Sequence, residues 1–588
     1  MAQTKTKGVK SVFQDFNAQL EDMREQGLFC DVRIKLSNQN ECPISVHRNV
    51  LASCSPFFRS LFTTALAESR QIEVKLPGIS REDMEAVIKF AYTNTADLCP
   101  ENIESILMTA DRLHVFGLLK LCVDYLHDNT DPQNVIGIWN LANHFHCHGL
   151  AEKSWKYIIE NFHKIVESST EFLQLTVGHL CDILRDDKLN LPNEDQACSA
   201  IMKWVDYHKS KRRRNFFQLL SCIRLAYVEK RTFDNVVLTD DDIVSQRTCK
   251  ELLNQAYSLC QIQQNTKLSF YQASKLYILK PRIPHEVIFV LGGWTNESVC
   301  GHIETYDTRV NKWYPMRSSL SEQPLAYHAL IPFGSYIYVI GGFTTYACVN
   351  TVRRYDPVEN TWSTAAPMHA KRCYVGCAVL NGFIYACGGY EGPNNPRHSS
   401  VERYNPVENQ WGYVQSMKTV RSDAGVSELK GQLYVCGGFD GHTCLDSTEV
   451  YCPINNQWTF LESMSIQRSG VALTTLNGRL YAMGGFNGTR RLKTVERYDP
   501  VMKRWVMVGS MSLARSNFAV TLLQGKIVSL GGFNGSTTSS IVECYDEEKD
   551  EWTERAGLTT GRSATSACTV KGLSNVTDYT YYGADANN

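Results

Sequence analysis

The sequence has no long apolar run, no CxxC cysteine pair and almost no net charge, and each absence removes a class of function. No stretch approaches the roughly 18 apolar residues of a membrane helix. The opening MAQTKTKGVKSVFQDF lacks the apolar core of a signal peptide. No membrane association is therefore expected, and the expected location is cytoplasmic. Lys and Arg number 60 against 61 Asp and Glu, a formal charge of −1, which leaves no general electrostatic attraction for nucleic acid. The 21 cysteines include no CxxC pair, so zinc ribbons and thioredoxin-like sites have no support, and the scattered odd set suits reduced thiols. A phosphate-binding glycine loop, HExxH and GxSxG are also missing. No catalytic constellation emerges, and no cofactor or metal is expected.

What is present is a repeat. At 588 residues the chain exceeds one hydrophobic core. Glycine pairs stand at 292–293, 341–342, 388–389, 437–438, 484–485 and 531–532, each closing an apolar run such as IYVI or LYVC. Tyr306, Tyr355, Tyr404, Tyr451, Tyr498 and Tyr545 each lie seven residues before Trp313, Trp362, Trp411, Trp458, Trp505 and Trp552. The period of 47 to 49 residues is that of a propeller blade of four strands. Glycine at a strand end permits positive φ and close approach of a neighbouring blade, while one Tyr and one Trp per blade fill the space between sheets. Inner strands are expected at 326–332, 373–380, 422–429, 469–476 and 516–523. The first glycine-pair blade has no such strand before it, yet SATSACTV (563–570) follows the last Trp. It is predicted to pair as the inner strand of blade one and close the ring, removing exposed sheet edges. Glu304, Glu402, Glu449, Glu496 and Glu543 precede the Tyr by two, and Arg372, Arg421, Arg468, Arg515 and Arg562 precede the inner strands, which predicts a Glu–Arg pair within each blade. Blade two has Arg353 and Leu325 instead.

The amino-terminal half reads differently. CDVRIKL alternates as a strand, while EDMEAVIKFAYT and NIESILMTADRLHVFGLLKLCVDYL carry helical spacing, so residues 29–127 read as mixed α/β. Residues 130–235 are patterned as helices throughout. Ahead of both, Val12, Phe16, Leu20 and Met23 recur at helical intervals, giving an amphipathic helix whose apolar face suits a two-fold dimer.

Three family resemblances follow from these stretches. The repeat resembles the Kelch repeat. Asp31 in CDV, with VHRNVLASCSPFFRSLF, IKFAYT and TADRLHVFGLLKLC, resembles a BTB (POZ) domain, and LRDDKLNLPNED with CIRLAYV resembles the BACK domain that follows it. The expected fold is multidomain: a dimerisation helix (1–28), an α/β BTB domain (29–129), an all-α BACK domain (130–235) and the end of BACK with a linker (236–284). An all-β six-bladed Kelch propeller closed by a C-terminal strand (285–572) and a tail (573–588) complete it. The tail is expected to be mobile after its first residues. The inner-strand sequences RCYVG, RSDAG, RSGVA and RSNFA, with GLSNVTDY, resemble most a germ-cell member of the family.

The resemblance implies a non-catalytic adaptor that presents a protein substrate to a Cullin-3 ubiquitin ligase. In the family a hydrophobic residue, any residue and Glu after LFT bind the cullin; here these are Leu66, Ala67 and Glu68, with Phe62, Tyr92 and His114 in segments like the rest of the cullin-facing surface. Phe62 and Leu66 are equally readable as helix core. The family homodimerises through the first helix with Asp31 and His47 near the interface, although a buried polar pair within one subunit fits those two as well. Substrate is implied at the propeller mouth. There Trp294, Phe343, Tyr390, Phe439, Phe486 and Phe533 follow the glycine pairs, and Tyr327, Tyr374, Asp423, Gly470, Asn517 and Ala564 stand second after the pre-strand position. Some of the aromatics are readable as packing between blades. No arginine occupies the second set, which departs from family members that read acidic peptides.

Two other functions stay open: an actin-associated scaffold, and a propeller enzyme of the galactose-oxidase type. The second needs a Tyr–His copper site, and the blade histidines His302, His328, His369, His398 and His442 occupy unrelated positions. HFHCHG, with His144, His146, Cys147 and His148, reads as a polar helix end more readily than as a zinc site. KSKRRR (209–214) reads as a solvated loop before an import signal.

Overall fold

The structure is a computed structural model and describes residues 17–36, 42–63, 72–229, 231–232, 280–316, 323–393 and 396–581. Contacts divide the chain into two units, residues 1–186 with 199–219 and residues 187–198 with 220–588.

In the first unit, Val32–Leu36 buries Val32 and Ile34 on one face, as its alternation predicts. It pairs antiparallel with Ile44–Val46 and parallel with Glu73–Leu76. Helices Arg48–Cys54, Pro56–Thr63, Arg81–Thr93, Ile103–Arg112 and Phe116–Asp128 contribute to the same core. Arg81–Thr93 starts where the Ser80 hydroxyl accepts the Asp83 N–H at 3.1 Å and stops at Asn94, which is left-handed. Helices then continue as Val135–His144, His148–Ser168, Val177–Arg185 and Glu194–Tyr207. Among the described residues, no helix is long and apolar enough to cross a membrane.

The second unit holds six four-stranded antiparallel sheets, the propeller blades. Blade one is Ser566–Lys571, Glu286–Leu291, Ile303–Asp307 and Lys312–Pro315, so the carboxy-terminal strand closes the ring as expected. All six inner strands begin three residues later than the apolar pattern suggests, at Ala329, Gly376, Gly425, Ala472, Ala519 and Ser566. The cause is backbone geometry: Tyr327, Tyr374, Asp423, Gly470, Asn517 and Ala564 all have φ between 50° and 63°, which a strand cannot contain.

The seven-residue Tyr–Trp spacing is a hairpin. Tyr498 and Trp505 are cross-strand partners with ring centroids 5.3 Å apart, and the other five pairs repeat the register. Trp505 Nε1 donates to the Glu462 carbonyl of the preceding blade at 3.0 Å, so the same side chain packs its own hairpin and staples its neighbour. The glycine pair serves close approach. A Cβ on Gly388 (φ 63°) would lie 2.2 Å from the Arg421 carbonyl oxygen of the next blade.

The predicted Glu–Arg pairs are present and fully buried. Arg372–Glu402, Arg421–Glu449 and Arg468–Glu496 close at 3.0, 2.7 and 3.0 Å, and Arg515–Glu543 and Arg562–Glu304 pair in the same way. The tail departs from expectation. Val576–Tyr579 forms a short 3-10 helix, Tyr579 is buried, and its hydroxyl meets that of Tyr355 at 2.8 Å. Asn575 Nδ2 donates to the Pro357 carbonyl at 3.0 Å, and Thr305 Oγ1 donates to the Tyr579 carbonyl at 2.8 Å. Residues as far as 581 are thus fastened to blades one and two because Tyr579 and Val576 complete an apolar cluster there.

Candidate functional site: the propeller mouth

The six positive-φ residues form a closed ring. The Tyr374 N–H donates to the Tyr327 carbonyl at 2.9 Å, Asp423 to Tyr374 at 3.2 Å, Gly470 to Asp423 at 3.0 Å and Asn517 to Gly470 at 2.9 Å. Ala564 then donates to Asn517 at 2.7 Å and Tyr327 to Ala564 at 2.9 Å, which completes the circle through all six blades. Each of these N–H and C=O groups is thereby used within the ring, so a ligand at this level has to be read by side chains.

Those side chains differ around the circle. Tyr327 and Tyr374 lie with ring centroids 3.9 Å apart. Asp423 accepts the Ser422 hydroxyl at 2.9 Å. Burial pushes the Asp423 carboxyl up to about 7, against the Ser422 hydroxyl and the Arg397 charge, which pull it down. The other side carries small side chains, with Gly470 and Ala564 flanking Asn517. Gly470 leaves room that the Asn517 amide fills, since a Cβ there would lie 2.5 Å from Asn517 Oδ1.

Trp294, Phe343, Tyr390, Phe439, Phe486 and Phe533 are all half-buried, and each bridges the residue before a ring member, as Phe439 does Ser422. Two arginines absent from the sequence reading lie over these aromatics. The Arg397 guanidinium is 4.8 Å from the Tyr390 centroid and 4.6 Å from that of Phe439; Arg491 is 4.3 Å from Phe486 and 5.1 Å from Phe533. Arg397 Nε donates to Ser422 Oγ at 2.8 Å and Arg491 Nε to Ser516 Oγ at 3.4 Å. Among the described residues neither has a carboxylate ion-pair partner. Both stand five residues before the repeat glutamate, where the other blades carry Val299, Cys348, Cys444 and Thr538. The departure of this column from the repeat is the signal in the sequence that marks the two arginines. Each guanidinium thus lies within 5.1 Å of two ring centroids and is anchored through Nε to a serine hydroxyl of the next blade.

In the first unit the expected sites fall as follows. Leu66, Ala67, Glu68, Val12 and Phe16 lie outside the described residues. Leu20 and Met23 are half-buried on the helix formed by residues 17–25, and Leu20 packs on the domain core. Phe62 is half-buried, 5.8 Å from the Phe58 ring and beneath the Arg48 guanidinium, and His114 is exposed. Tyr92 is a core residue, contrary to a cullin-facing position. Its oxygen accepts the His47 N–H at 2.9 Å while its O–H meets His47 Nδ1 at 2.7 Å, and burial pushes its phenol up to about 12. His47 Nε2 donates to the Leu28 carbonyl at 2.8 Å, which leaves Nδ1 as acceptor. Asp31 does not pair with His47; it is exposed and accepts the Arg48 N–H at 2.8 Å, capping that helix from the residue before strand Val32–Leu36.

His144, His146, Cys147 and His148 straddle two helix ends, and among the described residues no three metal-ligating groups converge. Lys209–Arg212 is a helical turn and not a loop. Arg212 lies 4.0 Å over the Trp204 ring and donates to the Trp204 and Leu173 carbonyls at 2.8 and 2.7 Å, so the basic run is partly docked.

Comparison with known families places names on this architecture. Residues 20–130 match the BTB/POZ domain, residues 135–238 the family described as BTB And C-terminal Kelch, residues 324–369 the Kelch motif and residues 374–580 the KLHDC2/KLHL20/DRC7 Kelch-repeats domain. Kelch-like protein 28 of Mus musculus and of Homo sapiens are each 30% identical over 379 residues, 63% of this chain. The match spans 65% of the length of each relative. The chain thus carries BTB, BACK and Kelch domains in this order and is homologous to Kelch-like protein 28.

Proposed function

We propose that this chain is a non-catalytic, homodimeric substrate adaptor of a Cullin-3 ubiquitin ligase. In this reading the BTB and BACK domains hold the cullin and the propeller mouth holds the protein to be ubiquitinated. The carrying observation is the mouth itself: a rigid backbone ring whose scaffold repeats while its side chains, including Arg397 and Arg491, differ from blade to blade. Recognition without bond chemistry is what such a surface supplies. The adaptor's contribution is proximity, raising the effective concentration of a substrate lysine near the conjugating enzyme, and a dimer doubles the substrate sites. Leu28 and Phe29, exposed directly after the helix of residues 17–25, support an apolar contact with a second copy. Family precedent places the motif Leu66, Ala67 and Glu68 against the cullin. A cytoplasmic location and a germ-cell setting rest on the sequence resemblance alone.

Calorimetric titration of the full chain with the amino-terminal domain of Cullin-3, beside a Leu66→Ala plus Glu68→Ala variant, tests the reading. Binding by the parent, with loss in a variant that keeps its mass as a dimer, is the expected result. A folded parent that does not bind would sink the ligase role and bring the actin-associated scaffold forward.

A further inference from the structure

At the mouth, the residue five before the repeat glutamate of one blade meets the residue that follows the repeat arginine of the next. At two junctions this contact is Arg397 to Ser422 and Arg491 to Ser516. Between blades two and three the same two positions are Cys348 and Cys373, whose sulfurs lie 2.8 Å apart. That separation is well inside the contact distance of unbonded sulfurs and within an ångström of the ~2.05 Å of a disulfide. Both are free thiols, both are buried, and each is held by a backbone bridge to the mouth, Cys348 to Phe343 and Cys373 to Tyr390.

We infer that Cys348 and Cys373 form a reversible disulfide site that covalently ties blade two to blade three at the substrate mouth, closed by hydrogen peroxide and opened by a thiol reductant. The Cys348 sulfur attacks one peroxide oxygen, the O–O bond breaks, and the departing hydroxide leaves with the Cys348 proton as water, giving a sulfenic acid. The Cys373 sulfur then attacks the Cys348 sulfur, the S–O bond breaks, and a second water carries off the Cys373 proton. Two thiols lose two electrons and one peroxide gains them. The order of the two steps follows from their hydrogen bond, which draws the Cys348 thiol below the ordinary thiol range and pushes Cys373 above it. The junction touches recognition directly. Phe343 and Tyr390 belong to the aromatic set, Tyr374 follows Cys373 in the ring, and blade two is the one that has Leu325 and Arg353 in place of the Arg–Glu pair.

The test treats the full chain with hydrogen peroxide, quenches it in denaturant with N-ethylmaleimide, and maps thiols by proteolysis and mass spectrometry. The expected product is a cross-linked peptide pair containing Cys348 and Cys373, two hydrogens lighter than the reduced peptides and abolished by dithiothreitol. In Cys348→Ala and in Cys373→Ala the remaining thiol should instead carry N-ethylmaleimide or an oxidised sulfur, with no cross-link. The oxidised parent should also melt several degrees above the reduced one, a shift missing in both variants. Recovery of both cysteines as N-ethylmaleimide adducts after oxidation would overturn the inference, as would a cross-link from either to another cysteine such as Cys377. Mapping of the parent decides the question even if an alanine variant fails to fold.

Discussion

Replacing Glu496 by Gln tests whether the repeat is held by its buried ion pairs. Arg468 and Glu496 have at most 1% of their side chains exposed. Arg468 donates to Glu496 Oε1 at 3.0 and 3.1 Å, to the Gly484 and Thr494 carbonyls at 2.8 and 2.9 Å, and to Thr494 Oγ1 at 2.9 Å. Glu496 in turn accepts the Ser465 N–H and hydroxyl, both at 2.7 Å. Removing the carboxylate charge leaves a guanidinium buried among neutral acceptors, and breaking such a pair costs about 3–5 kcal/mol. Gln preserves shape and one acceptor, so a loss of about 3 kcal/mol is expected. Arg468→Met should cost at least as much, because it strips the Gly484 and Thr494 carbonyls as well, at about 1–3 kcal/mol for each buried group left unpaired. The double variant should lose less than the sum by about 2 kcal/mol, since neither charge then remains to be buried alone. Urea unfolding of the full chain, with hydrogen exchange of residues 465–508 to assign the transition to this blade, provides the measurement. A Glu496→Gln midpoint within about 1 kcal/mol of the parent, or strictly additive singles, would refute the reasoning.

Asp423 has a folded-state affinity for protons near pH 7 against an ordinary value of 3.8, so between those limits the folded chain holds more protons than the unfolded one. Stability from this group therefore falls as pH rises through that window, and Asp423→Asn should gain on the parent by at least about 1 kcal/mol between pH 5 and pH 8 in urea midpoints. Arg397→Ala or Arg491→Ala should weaken capture of carboxylate-rich peptides from an array about tenfold and flatten its salt dependence, and Lys should not restore it because a stacked planar fork is lost. Tyr579→Ala should cost about 3–5 kcal/mol of propeller stability by emptying a cluster that joins the tail to blades one and two. A variant that unfolds with the parent would return the tail to the mobile role its polar sequence suggested.

The sequence alone determined the repeat and its closure, because packing one blade on the next demands the same large side chains at the same places. Tyr498 and Trp505 could be read seven apart, and the hairpin register that brings them together is the shortest chain path that does so. The buried Glu–Arg pairs were legible for the same reason: a charge repeated five times at fixed offsets has to find its partner at fixed offsets too. The BTB segment was legible as α/β, but the roles of Tyr92 and Asp31 were not, since a buried phenol and a helix-capping carboxylate look the same in one dimension as interface residues. Only the tertiary structure decided the mouth. Arg397 stands eight residues after its glycine pair and Arg491 six, and only the packing of one blade on the next sets each guanidinium between two rings of adjacent blades. Circular closure turned six scattered positive-φ residues into one ring of hydrogen bonds, and packing of consecutive blades brought Cys348 against Cys373, 25 residues apart. Periodicity in a chain reports what every blade must share; what distinguishes one blade junction from another arises between strands that the sequence lists far apart.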